Sequence, residues 1–488
     1  MQSTNNADSA SVDSASVDSA SDNSVSLDSI SSNDAPIAQL SNTQPQPVII
    51  IGSGMAGYTL ARELRKLTTS LPIVMVCQDS GDSYAKPTLS NAYAQNKLAD
   101  SIANASAAKM AETLNLTLLN FHQVTDINAA EQVIVVRSLV NEASQTTLAY
   151  RDLVLATGAH SRLLPNLAVN HQTIFAVNHL DEYKSFQQRL NTLKSQKLAP
   201  VKVAIIGAGL IGCEFANDLI GQNTANQTAG ITVAVFDKAA RPLAQQLPSQ
   251  AGIMLQDALT QSGVTFYLGT DITSITTNLN KNITTNINTS DKATVTISFD
   301  RDNHSQTFEA DIVLIAIGLV ANTDLAASAN IAIASSQHIN PTVTHLPRTV
   351  QQGIKVDAYL ATSAEHIYAI GDCANVMGSY MPYVMPLMNQ AKALAKTLAD
   401  PNMAPTKVAY PAMPVAIKTP SLPLVVLPVS GQYSDDQLYW QTTPTTDGMV
   451  MTAHPKDDPH SILGFVLAGR EAAKQRLTLT KQVADWLS

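Results

Sequence analysis

Two glycine-rich segments of this chain have the residue spacing that binds the pyrophosphate of a dinucleotide. In Gly-x-Gly-x-x-Gly the first glycine forms a tight turn, the second lets the backbone approach the pyrophosphate, and the third lets helix and strand pack closely. The N-terminus of the following helix faces the anion. The candidate residues are Gly52, Ser53, Gly54, Met55, Ala56 and Gly57 in the first segment, and Gly207, Gly209, Leu210, Ile211 and Gly212 in the second. One such segment is weak evidence, because tight turns of any α/β sheet share it, but two in one chain predict two dinucleotide sites.

An acidic residue at the end of the strand that follows each segment would bind a ribose. In the second unit this strand ends at Asp237, whose carboxylate would accept hydrogen bonds from ribose hydroxyls and repel a 2′-phosphate. The residue therefore favours NADH over NADPH, although Lys238 and Arg241 follow closely. In the first unit the expected acid is displaced, and either Gln78 or Asp79 could hold the ribose.

Alternating apolar and amphipathic runs indicate how these loops are held. We expect a strand, a loop and a helix at each segment, followed by a second strand. Two further apolar runs end in turns, one at Thr157-Gly158 and the other at Gly318. The expected strands are 48–51, 73–76, 153–155, 201–206, 231–236 and 312–315, with helices at 58–67 and up to residue 220. This order predicts two doubly wound α/β units.

Composition excludes several classes of protein. The chain has 488 residues, a formal charge of −9 and 14% charged residues. Six Asp and no Lys or Arg lie in residues 1–46, so the remaining chain is close to neutral and has no basic footprint for nucleic acid. No apolar stretch is long enough to span a membrane, and no secretory signal is visible. The three cysteines, at positions 77, 213 and 373, are too far apart for a Cys-x-x-Cys pair or a metal cluster, which predicts a cytoplasmic protein with no metal site.

The chain divides into five segments by composition and pattern. Residues 1–46 form a Ser/Asp-rich tail that we expect to be disordered, or else a partner-binding arm. Residues 47–160 and 322–401 would form the domain of the first loop, and residues 161–321 the domain of the second, with polar insertions at 221–230 and 278–291. Residues 402–488 differ in type: strands at 415–418, 423–428 and 462–468 precede a predicted helix at 471–486.

Together the two loops, the Thr157-Gly158 turn and the segment ending Gly371-Asp372 resemble the FAD-dependent pyridine nucleotide-disulfide oxidoreductase superfamily. The resemblance implies a glutathione-reductase-like α/β fold with two Rossmann-type domains, for FAD and NADH, plus a C-terminal α+β domain. It also implies that Asp372 bonds the ribityl chain of FAD. Because no cysteine lies between Cys77 and Cys213, the disulfide relay of that superfamily is excluded and electrons should leave the flavin directly.

Four longer stretches, at 81–90, 210–218, 383–388 and 411–420, are similar to the rubredoxin–NAD(+) reductase family of alkane-oxidising bacteria. This similarity covers residues 47–487. It implies hydride transfer from NADH to FAD, then single-electron transfers to rubredoxin, which would supply an alkane monooxygenase. Two alternatives stay open: an NADH-dependent ferredoxin reductase of an oxygenase system, and a flavin-bound signalling protein that NADH only switches.

The same resemblance suggests the catalytic pair. Related ferredoxin reductases place a Lys–Glu pair beside the flavin, which here would be Lys86, next to Pro87, and Glu214, although the relatives' lysine position holds Asn91. Lys418 is a second candidate to contact FAD. The helix expected from Pro386, just after Val384, would point its N-terminus at the flavin and stabilise the negative charge of the reduced form.

Rubredoxins are acidic as a family, and this chain is acidic too, so net charge would oppose their encounter. Docking would then use a local basic patch or a small apolar contact. Two helices offer such a patch: Lys474, Arg476 and Lys481 in the last, or Arg62, Arg65 and Lys66 in the first.

Overall fold

The computed structural model describes residues 45–141, 144–196, 199–221, 230–278, 293–302, 304–334, 352–430 and 433–487. Nearly all of the predicted tail and most of both predicted polar insertions lie outside these ranges. The helices of the described residues are α1 (Met55–Leu67), α2 (Ala107–Leu114), α3 (Leu180–Gln196), α4 (Leu210–Ile220), α5 (Ser249–Gln261), α6 (Asp324–Ser328), α7 (Val384–Ala399), α8 (Arg470–Ala473) and α9 (Arg476–Thr480). Among them, none is long and apolar enough to cross a membrane.

Most strands are short, and they fall into seven sheets of the described chain. In chain order they are β1 (Val48–Ile51), β2 (Ile73–Val76), β3 (Thr117–Leu119), β4 (His122–Asn128), β5 (Val133–Ser138), β6 (Gln145–Ala149), β7 (Asp152–Leu155), β8 (Ala159–Ser161), β9 (Ile174–Ala176), β10 (Val201–Ile206), β11 (Ile231–Asp237), β12 (Val264–Leu268), β13 (Asp271–Asn278), β14 (Thr294–Arg301), β15 (His304–Ala310), β16 (Ile312–Ile315), β17 (Leu319–Ala321), β18 (Ile354–Val356), β19 (Ile367–Ala369), β20 (Ala374–Val376), β21 (Ser379–Tyr380), β22 (Val415–Ile417), β23 (Leu424–Leu427), β24 (Leu438–Pro444), β25 (Met449–Pro455) and β26 (Gly464–Ala468).

The first glycine loop leaves a parallel sheet with strand order β19-β7-β1-β2-β3. The sheet is buried on both faces: β1, β2 and β7 are buried along their full length, which is why, apart from Asp152 at the start of β7, their sequences are apolar runs rather than alternating ones. Strand β19 joins this sheet from far along the chain. Two distant stretches of sequence therefore build the scaffold of the first loop.

The second loop leaves an equivalent parallel sheet, ordered β12-β11-β10-β16-β9. Strand β10 pairs with β11 from Val201 to Ile206. This register brings the loop after Ile206 beside Asp237, the last residue of β11. The antiparallel pair β8 and β17 connects the two α/β units where the chain passes between them. The strands and helices predicted around both loops are confirmed.

The C-terminal segment forms a five-stranded antiparallel sheet, ordered β22-β23-β26-β25-β24. The sequence analysis found only β22, β23 and β26. It missed β24, a partly exposed edge strand with many polar residues, and β25, which is fully buried but too mixed in composition to show a period. The C-terminal part is an α+β unit, as predicted.

Two helix predictions need correction. The single helix expected at 471–486 is wrong: helices α8 and α9 are short, and the chain leaves the helical path after Thr480. Burial of Trp486 and the backbone hydrogen bonds between Tyr410 and residues 486–487 hold this last segment as a bridge. Helix α7 begins at Val384, so Pro386 is its third residue and not its first. Pro386 still lies in the first turn, where a backbone N–H has no intrahelical partner, so its missing N–H costs the helix no hydrogen bond.

Candidate functional site

A continuous cavity of about 2510 Å³ lies between both glycine loops and the C-terminal sheet. Pockets for one small ligand usually measure about 300–1,000 Å³, so this one has room for two dinucleotides. Most of the residues predicted from the sequence line it: Gly52, Ser53, Gly54, Met55, Ala56, Asp79, Lys86, Pro87, Thr157, Gly158, Gly207, Gly209, Leu210, Ile211, Glu214, Asp237, Gly318, Asp372, Val384 and Lys418. Gly57, Gly212 and Gly371 are not part of the lining.

The three glycines of each loop meet different surroundings. A Cβ atom at Gly57 would lie 2.0 Å from the carbonyl oxygen of Gly52, and one at Gly212 would lie 1.9 Å from that of Gly207. A Cβ at Gly54 or Gly209 would meet nothing within 4 Å. The third glycine of each loop therefore serves backbone packing, and the middle glycine faces the open space into which a pyrophosphate fits.

The helices that begin at these loops present their N-termini to the same space. Gly54 is the N-cap of α1 and Gly209 that of α4, and neither helix has an acidic residue in its first turn or a side chain capping it. The backbone N–H groups of a helix's first turn have no intrahelical partner, and with the helix dipole they attract an anion. Both loops thus fit the pyrophosphate of a dinucleotide.

The ends of the second strands hold carboxylates near each loop. Asp237 Oδ2 accepts the Ala208 N–H at 2.6 Å, and its Oδ1 accepts the Ala239 N–H at 2.7 Å. The Asp237 carboxylate therefore fixes the second loop, and each oxygen retains a lone pair for a ribose hydroxyl. Lys238 forms an ion pair with Asp271 at 2.8 Å, and Arg241 donates to the carbonyls of residues 244 and 247.

In the first unit the carboxylate beside the loop is Asp79, two residues beyond the position that corresponds to Asp237. Its Oδ1 accepts from Ser53 Oγ at 3.2 Å and from the Gly81 N–H at 3.0 Å. The Ser53 hydroxyl belongs to the first loop, so Asp79 ties this loop to the segment that leaves β2. Gln78, the alternative from the sequence, also lines the cavity.

All three cysteines are buried and free. Burial raises the pKa of the Cys77 thiol to about 12, and it raises the pKa of the Cys213 and Cys373 thiols as well. Thiols with raised pKa values stay protonated at neutral pH and are poor nucleophiles. The prediction that Cys213 and Cys373 are buried small residues is confirmed.

The Gly371-Asp372 turn is held from two sides. Gly371 donates its N–H to Gln390 Oε1 at 2.6 Å, and Gln390 in turn donates to the Tyr410 hydroxyl at 2.7 Å. Asp372 Oδ2 lies 3.5 Å from Lys86 Nζ. This chain of bonds connects the turn both to α7 and to the beginning of the C-terminal segment.

The predicted pairing of Lys86 with Glu214 is wrong. Glu214 Oε2 lies 2.7 Å from Nζ of Lys418 and accepts from Ser90 Oγ at 2.5 Å. Lys418 Nζ donates to Ser90 Oγ at 2.7 Å and to the carbonyl of Pro87. Lys86, the first residue of a 3-10 turn (Lys86–Thr88), contacts Asp372 instead.

Ser90 is a site residue that the sequence analysis missed. Its side chain is buried and bonds both members of the ion pair. The signal in the sequence was the Leu-Ser pair at positions 89 and 90, which precedes the lysine in related reductases. Here the ammonium group comes from Lys418 instead.

Several of the basic residues proposed for docking bond to other groups of the chain. Arg65 donates to the carbonyls of Leu71, Leu114 and Asn115, and Lys66 pairs with Glu63. Lys474 pairs with Glu471, within the last helical region. Arg62 bonds the Ser83 hydroxyl. Helix α1 is therefore a poor source of free positive charge.

The comparisons with known families match two parts of the chain. The model described as pyridine nucleotide-disulphide oxidoreductase matches residues 46–393. The model described as rubredoxin binding C-terminal domain matches residues 407–483. Two parallel α/β units, each with a dinucleotide-type glycine loop, thus define an oxidoreductase of the class that brings two dinucleotides together.

Known relatives narrow this class. The chain is 43% identical to the Rubredoxin-NAD(+) reductase of Acinetobacter baylyi and 34% identical to that of Alcanivorax borkumensis, each match covering 90% of this chain and 98% of the relative. It is 33% identical to the Nitric oxide reductase FlRd-NAD(+) reductase of an Enterobacter species, covering 89% of this chain and 98% of the relative. The chain belongs to the pyridine nucleotide-disulphide oxidoreductase family and, within it, to the rubredoxin–NAD(+) reductases.

Solved structures share the fold. The reductase in a covalent putidaredoxin reductase–putidaredoxin complex has a TM-score of 0.70 at 22% identity, covering 90% of this chain and 94% of that one. NADH:rubredoxin oxidoreductase from Clostridium acetobutylicum has a TM-score of 0.62 at 18% identity, with the same coverage. The predicted fold class is confirmed.

Proposed function

We propose that this protein transfers electrons from NADH through FAD to a rubredoxin. The observation that carries the proposal is the C-terminal segment, which matches a rubredoxin-binding domain and sends Lys418 into the cavity shared by both glycine loops. A partner bound to that domain would lie close to the site where the two dinucleotides meet.

The first loop and its surroundings suit FAD. Gly52–Gly57 would bind its pyrophosphate, Asp79 its ribose, and Asp372 its ribityl chain, with Thr157, Gly158 and Gly318 closing the floor of the cavity. Lys86, Pro87, Val384 and Lys418 would contact the rest of the cofactor. When bound, the flavin supplies the step from two-electron to one-electron chemistry. The start of α7 would stabilise negative charge on it.

The second loop suits NADH. Residues 207–212 would bind the pyrophosphate and Asp237 the adenosine ribose. Lys238 pairs with Asp271, and Arg241, which keeps its charge, donates to two backbone carbonyls. The preference for NADH over NADPH would therefore come from the Asp237 carboxylate, which repels a 2′-phosphate. We further propose residues 47–160 and 322–401 as the FAD-binding domain and 161–321 as the NADH-binding domain.

No cysteine lies between Cys77 and Cys213, so this region contains no residue that could serve as a thiol relay. Electrons would leave the flavin directly for the bound protein. We also propose which protein the reduced rubredoxin serves. By similarity to reductases of alkane-oxidising bacteria, the rubredoxin would supply electrons to an alkane monooxygenase. Three free cysteines and the use of NADH suit the reducing cytoplasm, where we place the protein.

An acceptor comparison tests the proposal. Holoenzyme and NADH are mixed anaerobically, and rubredoxin or a [2Fe–2S] ferredoxin is offered in separate reactions. We expect rubredoxin to be reduced at least about tenfold faster than ferredoxin, which corresponds to about 1.4 kcal/mol of discrimination. Faster reduction of ferredoxin would instead identify the protein as a ferredoxin reductase of an oxygenase system. Flavin reduction without turnover of either acceptor would refute electron transfer as the function.

A further inference from the structure

Helix α4 carries three buried polar side chains that bond to other parts of the chain. Glu214, Asn217 and Asp218 are 1%, 6% and 4% exposed. Each accepts a backbone N–H from outside the domain of the helix. The bonds are 2.8 Å from the Lys418 N–H to Glu214, 3.1 Å from the Ser421 N–H to Asn217, and 3.0 and 2.8 Å from the N–H groups of Tyr93 and Ala94 to Asp218.

These bonds join three functional parts at one helix. Helix α4 starts at the second glycine loop, whereas Lys418 and Ser421 belong to the segment that matches the rubredoxin-binding domain. Tyr93 and Ala94 follow the stretch that lines the first unit's side of the cavity. Consequently the helix that begins the dinucleotide loop cannot shift without disturbing contacts to the acceptor-binding domain.

The ion pair of Glu214 with Lys418 is the charged part of this connection. Glu214 and Asp218 lie one turn apart and are both buried, so their carboxylates need a counter-charge. Lys418 supplies it for Glu214, which its ammonium group bonds at 2.7 Å. Burial raises the pKa of Asp218, and the N–H groups of Ala94 and Tyr93, followed by the charge of Lys418, partly offset that rise. A change in the position of Lys418 therefore alters the electrostatic balance of α4 directly.

The segment that carries Lys418 follows the edge strand of the C-terminal sheet. Strand β22, just before it, has three residues and pairs with β23 at that edge. Residues 418 and 421 also bond outside the sheet: both donate to α4, Lys418 Nζ bonds Pro87 and Ser90, and the Ser421 hydroxyl bonds that of Ser262. A protein bound to the C-terminal domain and a dinucleotide bound at the second loop therefore act on the same set of contacts.

We propose that rubredoxin binding and dinucleotide binding are coupled through the Glu214–Lys418 ion pair, each tightening the other. The inference rests on the proposed function, because it takes rubredoxin as the ligand of the C-terminal domain. Two ligands that stabilise the same arrangement of these contacts favour each other, so the second binds more tightly than it would alone. By linkage, the factor is the same whichever ligand binds first.

The test is a calorimetric titration of the holoenzyme with NAD⁺, carried out with and without zinc-substituted rubredoxin. Zinc makes the rubredoxin redox-inert, so the readout is affinity and not turnover. We expect the partner to lower the Kd of NAD⁺ by about fivefold or more. In Lys418→Met the effect should fall below about twofold, whereas Lys418→Arg, which keeps the charge, should retain most of it. The matched control is Lys456→Met, an exposed lysine of the same domain, which should behave as wild type.

Flavin absorbance and thermal unfolding report whether each variant is intact. Should Lys418→Met lose its flavin, Glu214→Gln tests the same ion pair from the side of α4 by removing the carboxylate charge, and it should reduce the coupling factor. Zinc-rubredoxin that binds without changing the NAD⁺ affinity refutes the coupling, as does full coupling in Lys418→Met or Glu214→Gln. A native rubredoxin that neither binds nor is reduced refutes the proposed function itself, which is a different result.

Discussion

Gly209 and Gly212 lie three residues apart in the second loop, yet an added methyl group would meet opposite surroundings. At Gly212 the new carbon would lie 1.9 Å from the Gly207 carbonyl oxygen and 3.4 Å from a methyl carbon of Ile205. Real contacts of this kind are above 3.0 Å, so helix and strand must separate by more than 1 Å. Overpacking of this kind costs about 1–3 kcal/mol, and the rigid backbone on both sides places Gly212→Ala at the upper end or beyond it.

Gly209→Ala should leave the fold almost intact. The methyl group would meet no protein atom within 4 Å, and the residue has an ordinary extended conformation with a φ of −76°. The stability cost is that of replacing an N-cap glycine by alanine, about 1 kcal/mol or less. The methyl group would instead occupy the space that a pyrophosphate needs, so NADH should bind at least about tenfold more weakly, or about 1.4 kcal/mol.

Three measurements separate the two effects. Thermal unfolding should show a large loss for Gly212→Ala and a small one for Gly209→Ala. Bound FAD should be at wild-type level in Gly209→Ala, whose change lies in the other unit. The rate of flavin reduction in a single turnover, measured against NADH concentration, should show the loss of affinity. Wild-type NADH dependence in Gly209→Ala, or wild-type stability in Gly212→Ala, would refute the assignment of roles within the loop.

Three carboxylates give further predictions. Asp237→Asn should raise the KM for NADH about tenfold while leaving that for NADPH unchanged or lower, since one ribose acceptor and the negative charge are lost; steady-state assays with both nucleotides check this. Burial raises the pKa of Asp218 to about 6, so the folded state binds more protons than the unfolded state between about pH 4 and 6. Its contribution to the free energy of unfolding therefore falls as pH rises through that window, by about 3 kcal/mol, and unfolding of Asp218→Asn measured against pH should lack this decline. Asp372→Ala should release FAD at least about tenfold more readily and remove the partner of Lys86, which fluorescence of released flavin during dilution would report.

Local patterns made the loops predictable from the sequence. Strand β1 is a continuous apolar run and β10 is one from Val203 onward, because both faces of their sheets are covered there, and the glycines that follow each strand are needed within the same few residues. Every determinant of such a loop lies close by in the chain. The strands and both candidate dinucleotide loops could therefore be placed to within one or two residues.

The ion pair in the cavity could not be predicted in this way. Glu214 and Lys418 are 204 residues apart, and the contact depends on how the C-terminal sheet lies against α4. Lys86 lies close in sequence to Asn91, where the resemblance implied a lysine, and it was therefore predicted as the partner of Glu214 in place of Lys418. Strand β24 was missed for a related reason: its exposed polar residues carry little hydrophobic pattern, and pairing with the buried β25 determines its structure.

The exposed groups near the cavity indicate how an acidic acceptor could dock on this acidic protein. Arg65 and Lys66 already bond to groups of this chain, whereas Met385, at the start of α7, is 45% exposed and lines the cavity. Electron-transfer partners often use small contacts, so we expect an apolar contact at Met385 to direct rubredoxin to the flavin edge.

Met385→Asp should therefore slow rubredoxin reduction about tenfold or more, because an acidic group would face an acidic partner across a desolvated contact. Flavin reduction by NADH should be unchanged. Met403→Asp is the matched control, since Met403 is 66% exposed and lies outside the described lining of the cavity. The wild-type rate with rubredoxin should change little, or rise, with added salt, because screening weakens the repulsion of two acidic proteins. A rate that falls steeply with ionic strength would mean that a basic patch steers the encounter, and Arg476, which lines the cavity, would then be the residue to replace.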